Sequence, residues 1–273
     1  MDRLNNRVNL SLAALPGLMH EDAARVAHTW SQAGLLSEPL LGQLSLDHVQ
    51  LVPQSHGRVN EELVEHLRRE YPETQFRLHA NVRVLSQHVF ADLSGLHLYP
   101  EYFSRAARMS QALGASAYSA HSGTREQASM SEMLDSARRL ADLFGCPVAV
   151  EGQYPNKGNT LLVNTWEEYR EVFDSGVPYA LDLSHLNILA EKSGVFEVTL
   201  VQEMLSCERC IEVHVSDNDG QGDQHRVCDE LTWWFGLMRY THPQAVVFSE
   251  GNHRLRLKEA EKKLATSKAL QPA

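Results

Sequence analysis

The chain has 273 residues, 43% of them hydrophobic and 22% charged, with a formal net charge of −10 at neutral pH. That length suits one large domain, and no apolar run approaches the roughly 20 residues that a membrane-spanning helix needs. The excess of acid disfavours a wide phosphate-binding face, because nucleic-acid affinity comes largely from Lys and Arg displacing counterions.

Short β-rich runs alternate with longer helical stretches from one end to the other. Residues 8–12 predict the first strand. Arg3 and Arg7 ahead of this apolar patch give the start a faint likeness to a secretion signal, but Asn9, Ser11 and Pro16 interrupt it and a strand followed by a turn explains it as well. Further strands are predicted at 48–52, 76–79, 117–121, 148–151, 179–183, 211–215 and 245–250, eight in all. Apolar residues at three- and four-residue spacing predict helices at 21–33, 61–70, 101–113, 131–144, 165–173, 196–205 and 230–240, with a last one at 255–265. Gly114, Gly145 and Gly176 each stand between a helix and the next strand, where a left-handed C-cap fits. Eight β-then-α units predict a single parallel (β/α)8 TIM barrel over residues 1–265, with a polar tail at 266–273; a doubly wound open sheet is the alternative.

Four cysteines in so long a chain do not build a disulfide framework, which points to a reducing cytoplasm. Cys207 and Cys210 form a CxxC, but a structural zinc site needs a second such pair and none exists, so they read as ordinary residues.

In a barrel of this kind the chemistry sits where strands end and enter the βα loops. Strand three ends in RLHAN (His79), strand four in SAHSG (His121), strand five in VAVEGQ (Glu151) and strand six in ALDLSH (Asp182, His185). Strand seven ends in EVHVS (His214), its loop carries GDQH (Asp223, His225), and strand eight ends in FSEGN (Glu250). Any one of these has an ordinary reading: a hydrogen-bonded wall histidine, half of an ion pair, a solvated turn. Nine on one rim are harder to place that way, because crowded charged groups lose hydration unless something compensates them. A mixed nitrogen and oxygen set without thiolate suits Zn²⁺, Mn²⁺, Fe²⁺ or Co²⁺, and nine ligands call for two or three ions rather than one. The stretch DNDGQGD is no EF-hand, since the closing Glu falls at no permitted position.

This ordered set resembles that of the xylose-isomerase-like TIM barrels, and within them the endonuclease IV branch, AP endonuclease family 2. The resemblance implies a trinuclear metal site. His79, His121 and Glu151 would hold one ion; Glu151, Asp182, His214 and Glu250 a second; His185, Asp223 and His225 a third. The segment HVSDNDGQGDQH also resembles that of sugar-phosphate isomerases and epimerases, which mostly need only the quartet Glu151, Asp182, His214 and Glu250, with the two glutamates as catalytic acid–base groups. Departures from the endonuclease pattern are plain. DQH runs into RVCDELTWWFGL rather than Gly-Glu-Gly, and LVPQSHGR stands where DNA-inserting loops would follow the second strand. Trp233 and Trp234 after the Asp-x-His resemble multinuclear iron oxygenases that act on peptide thiols, or simply pack a helix on the barrel.

The expectation is a cytoplasmic metal enzyme with two or three Zn, Fe or Mn ions and a small-molecule substrate. An isomerase or epimerase is favoured; a three-zinc phosphodiester hydrolase and an iron oxygenase are the alternatives. Arg125 and Lys157, just beyond strands four and five, are candidate anchors for a substrate phosphate or carboxylate. Nucleic acid is disfavoured, a membrane is not expected, and a homodimer is left open.

Overall fold

The computed structural model describes residues 6–254. Eight parallel strands organise it: β1 (Val8–Ser11), β2 (Ser45–Leu51), β3 (Gln75–Leu78), β4 (Tyr118–His121), β5 (Val148–Glu151), β6 (Tyr179–Asp182), β7 (Cys210–Val215) and β8 (Val246–Ser249). Their residues are mostly buried, as expected for strands covered by helices outside and packed side chains inside. The hydrogen-bonded order runs β3-β2-β1-β8-β7-β6-β5-β4, with β1 joined to β8 through Val8 opposite Val247. The two ends of this order meet at one parallel bridge, His79 with Ser119. An open doubly wound sheet would leave its outer strands apart; this one is a nearly closed (β/α)8 TIM barrel.

Seven α-helices pack around it: α1 (His20–Gln32), α2 (Glu61–Glu70), α3 (Pro100–Leu113), α4 (Met130–Phe144), α5 (Trp166–Asp174), α6 (Leu183–Ser193) and α7 (Val198–Ser206). Local chemistry sets their ends. Asn60 and Thr165 accept from backbone N–H groups at the starts of α2 and α5, and Ser129 with Glu132 forms a capping box on α4. Gly114 and Gly145 take the left-handed C-cap conformation. Gly176 also has a positive φ, one residue beyond the cap Ser175.

Two units depart from the sequence reading. The strand expected at 179–183 stops at Asp182, whose carboxylate accepts from Ser184 N at 2.7 Å and His185 N at 3.2 Å and so starts an unforeseen helix, α6. His185 therefore projects from a helix's first turn and not from a strand. The helix expected at 230–240 is a short 3-10 segment, Phe235–Tyr240. Thr232, Trp233, Trp234 and Phe235 lose side-chain freedom in a helix, and Gly236 weakens one further. A small antiparallel hairpin, Ser37–Glu38 with Gly42–Gln43, adds to the rim. The expected helix at 255–265 and tail at 266–273 lie outside the described residues. Among the described residues no helix is long and apolar enough to cross a membrane.

Gly152, the residue after β5, leaves no room for a side chain: an added Cβ would overlap the ring of Tyr169, which is buried and held by its hydroxyl on Gln153 O at 2.9 Å. Gly152→Ala is expected to lower the unfolding free energy by about 1–3 kcal/mol through overpacking, read by thermal or urea unfolding. An unchanged midpoint would show that Tyr169 is not fixed.

Candidate metal centre

Side chains two apart share one face of a strand. On β3 and its continuation this sends Arg77 and His79 into the barrel, and on β7 it sends Glu212 and His214. They form two layers. In the lower one, Arg77 Nη1 lies 2.6 Å from Glu212 Oε1, with side chains 3% and 0% exposed. Gln50 Nε2 donates to Glu212 Oε2 at 3.2 Å. In the upper layer, at the C-terminal mouth, the rings of His79 and His214 stand edge to face, 5.2 Å apart.

Above them the nine residues expected from the sequence converge. Glu151 is the hub: its oxygens lie 3.4 Å from His214 Nδ1, 3.6 Å from His79 Nε2, 3.6 Å from His121 Nε2 and 3.8 Å from His185 Nδ1. Glu250 reaches His214 Nδ1 at 4.0 Å and His225 Nδ1 at 3.6 Å. Asp223 Oδ2 lies 2.9 Å from His225 Nε2 and 3.5 Å from His185 Nε2, and Asp182 Oδ2 lies 3.3 Å from the same His185 nitrogen. Three overlapping trios bring ligand atoms within 4.8 Å of one another: His79, Glu151 and His214; Glu151, Asp182 and His185; Asp182, His214 and Glu250. Glu151, Asp182 and His214 are each shared between two of the trios.

The loop after β7 explains the crowding in EVHVSDNDGQGDQH. Paired backbone hydrogen bonds of 2.8 Å between Asp217 and Arg226 close it into a hairpin. Within it Asn218 Oδ1 accepts from Gly220 N at 2.8 Å, and Asp219 accepts from Gln221 N and from Gln224 Nε2. Asp217 and Asp219 thus build the turn, while Asp223 and His225 face the mouth. His225 has φ 46°, a left-handed conformation that costs of order 1–3 kcal/mol in a residue with a side chain and that aims its ring inward.

Burial and neighbouring charges set the protonation of the site. Burial raises the Glu151 carboxyl, yet the imidazoles of His214, His79 and His121 hold it well below the usual carboxylate range. Burial works against charge on His121, His185 and His225, but their carboxylate neighbours lift them to about 9, 10 and 9. Burial pushes His79 down to about 3. Glu250 is raised, by burial first and by Asp182 and Glu151, against the pull of His214 and His225. Glu151 Oε2, His214 Nδ1 and His225 Nδ1 are buried with no hydrogen-bond partner. Buried lone pairs aimed at a common space, from nitrogen and oxygen donors only, fit divalent transition-metal ions.

Several contributing residues escaped the sequence reading. Glu212 and Gln50 contact His214 Nε2 at 3.1 Å each, which leaves its Nδ1 for the mouth. Asp92, held by Asn81 Nδ2 at 2.8 Å, lies 3.4 Å from His121 Nδ1. Glu38 bonds Ser249, His253 and Cys228 N, tying the hairpin to the end of β8. The signal available for Glu212 is its place two residues before His214, matched by Arg77 two before His79. Arg125 is not the expected anion anchor. Its guanidinium grips Glu168 at 2.6 and 3.0 Å and also reaches Asn164 and Asn159 O, so it binds two loops together. Lys157 is exposed in the loop after β5. Trp234 is buried in the core and Trp233 meets Phe196 edge-on, which accounts for both indoles as packing. The four cysteines are free.

The fold, a TIM barrel, is shared with several solved structures. Among solved structures the chain is similar to a D-tagatose 3-epimerase-like protein, at 16% identity and TM-score 0.64 over 96% of each chain. It is similar to AP endonuclease, family 2, from Brucella melitensis, at 16% identity and TM-score 0.60 over 91% of this chain and 94% of that one. A third is D-allulose 3-epimerase from Methylomonas sp., at 16% identity and TM-score 0.58 over 90% and 84%. At these identities the likeness establishes the fold. No family model matches the sequence, and no curated protein matches it.

The raised histidines set a pH dependence for the metal-free protein. His121, His185 and His225 bind protons more tightly folded than unfolded, so their stabilisation is fully present below pH about 6.5 and is lost as pH rises through 9–10. Chelator-treated protein should melt at progressively lower temperature from pH 7 to 10, and zinc uptake at pH 7 should release protons. A melting temperature rising over that range would contradict this charge arrangement. Glu212→Gln should weaken metal binding by about 10–100-fold, measured against a chromophoric chelator, because His214 loses its fixed orientation. It should also cost about 3–5 kcal/mol of stability by leaving Arg77 unpaired; the Arg77→Met, Glu212→Met pair should recover stability but not affinity.

Proposed function

We propose that this chain is a divalent-metal-dependent isomerase or epimerase acting on a small hydroxylated or phosphorylated substrate. The observation that carries the reading is the placement of two buried carboxylates from different strands, Glu151 at 3.4 Å and Glu250 at 4.0 Å, on the same His214 Nδ1. Glu151, Asp182, His214 and Glu250 would hold the principal ion, with His79 and His121 sharing Glu151 for a second and His185, Asp223 and His225 for a third. Such an ion, of the Zn, Fe or Mn class, supplies positive charge that polarises a substrate carbonyl or hydroxyl oxygen. The remaining work falls to the chain. Glu151 and Glu250, 1% and 5% exposed, are shielded from bulk water, and Ser11 Oγ donates to Glu250 Oε1 at 3.4 Å to hold it in place. One carboxylate takes a proton from a substrate carbon and one returns a proton to the same carbon on the other face or to its neighbour, so no redox partner is needed. The epimerases among the similar structures support this class.

A second reading has its own support. Asp223 Oδ2 lies 3.5 Å from His185 and 2.9 Å from His225, beyond the four residues that an isomerase requires. Phosphodiester hydrolysis, in which a multinuclear site clamps attacking and leaving oxygens, would use all nine.

The test is solvent-deuterium exchange at carbon, followed by NMR across a panel of aldoses, ketoses and their phosphates with Mn²⁺, Co²⁺, Mg²⁺ or Zn²⁺ restored. Exchange at one carbon is expected, lowered about 10²–10⁴-fold in Glu151→Gln and Glu250→Gln. Cleavage of an abasic oligonucleotide or a model phosphodiester, with no exchange on any sugar, would move the assignment to hydrolysis.

A further inference from the structure

The loops after β1, β2 and β3 meet on the same rim as the metal-competent residues, and backbone hydrogen bonds lace them together. Gly17 N donates to Gln54 O at 2.9 Å, His56 N to Leu18 O at 2.7 Å, His20 N to His56 O at 3.2 Å and Val59 N to Arg83 O at 2.7 Å. Two adjoining clefts of about 540 and 290 Å³ open between them and share His56 and Arg58. Glu21, Glu62 and Glu65 line the larger cleft together with basic groups, so its charge is mixed. The smaller is walled by His56, Arg58, Arg83, Leu85, Ser86 and His88, with no carboxylate among its lining residues.

Two arginines line the smaller cleft. Arg77, Arg105, Arg125 and Arg170 each hold a carboxylate, whereas Arg58 and Arg83 form no salt bridge among the described residues. Arg83 Nε is buried without a hydrogen-bond partner. Behind the loops His20 is 1% exposed and neither of its ring nitrogens has a partner. Burial, with the positive charges of Arg83 and His56, pushes His20 down to about 4. In a chain of net charge −10, the smaller cleft is lined by two arginines and two histidines and by no acidic residue.

We propose that the smaller cleft is an anion subsite, in which Arg58 and Arg83 bind the phosphate group of a phosphate-monoester substrate. A single guanidinium fork satisfies a carboxylate; two forks from separate loops, with His56 beside them and His88 tied by its Nε2 to Asn81 O at 2.9 Å, match the three terminal oxygens and double charge of a phosphate monoester. The subsite also lies on the chain segment that follows the metal-competent end of β3. Arg83 follows His79 by four residues, so their Cα atoms are at most roughly 14 Å apart. In the proposed binding mode a sugar phosphate presents its hydroxylated carbons to Glu151 and Glu250 while its phosphate sits on the arginines. The substrate class rests on the isomerase reading; the anion site itself does not.

Calorimetric titration with inorganic phosphate and with a pentose 5-phosphate tests it, on the protein as isolated and after chelator treatment, so that phosphate held at the metal centre is told apart. Arg58→Gln and Arg83→Gln should each weaken binding of both probes about tenfold or more, the loss of hydrogen bonds to a charged group, with metal content unchanged. Arg58 is exposed, so its variant keeps the fold and provides the decisive comparison. Equal affinities in wild type and variants would overturn the subsite. Displacement of phosphate by an oligonucleotide lacking terminal phosphates, through the same arginines, would overturn its assignment to a small monoester. Phosphate affinity lost in the variants, with no carbon exchange on any sugar in the wild type, would uphold the subsite and remove only the isomerase reading.

Discussion

A single carboxylate at the end of β5 organises the mouth of the barrel. Glu151 is buried among His79, His121, His185 and His214, and positive charge on His214 and His121 keeps its carboxyl ionised there. The neighbouring architecture follows from that need. β5 is short, apolar and buried, which delivers Glu151 to a fixed height. Gly152 lets Tyr169 lie against the strand end, and its carbonyl accepts from His185 Nδ1 at 2.9 Å, which aims the other ring nitrogen at Asp182 and Asp223. The lower layer, Arg77 with Glu212, is already neutral as a pair, so the unbalanced demand for cations is confined to the upper layer.

The same economy of roles runs through the acidic segment after β7. Two of its aspartates make turns and one faces the centre, and the difference lies in what each carboxylate can reach. Asp219 finds backbone N–H and Gln224 within its own loop. Asp223, carried across the hairpin, finds only His185, His225 and the Ser184 hydroxyl. Asp182 does both jobs at once, capping α6 with one oxygen and facing His185 with the other.

Much of this was legible in the sequence because barrels convert strand position into spatial position. His79, His121, Glu151, Asp182, His214 and Glu250 stand at predicted strand ends, and a closed ring of parallel strands must bring such ends to one rim. What local pattern could not show were partners distant in sequence. Arg125 reads as a free loop cation until Glu168, 43 residues on, is folded against it. α6 was hidden because LSHLNIL continues the apolar run of β6, although Asp182 before it and Gly194 after it are ordinary helix punctuation. The buried pair beneath the centre was visible in principle. Arg77-x-His79 and Glu212-x-His214 repeat one spacing on two strands, but charge in mid-strand reads as solvent-facing unless the partner is known.

The barrel is a cylinder with one weak seam. Elsewhere successive strands share ladders, but β3 and β4 touch through the His79–Ser119 bridge, with His79 Nδ1 and Ser119 Oγ 3.0 Å apart. The rings of His79 and His121 stand on opposite sides of that seam, 5.1 Å apart, with Glu151 in reach of both. Whatever engages these two imidazoles together also rivets the cylinder shut. A cation bound by both rings would thus close the barrel's circumference at its least hydrogen-bonded joint.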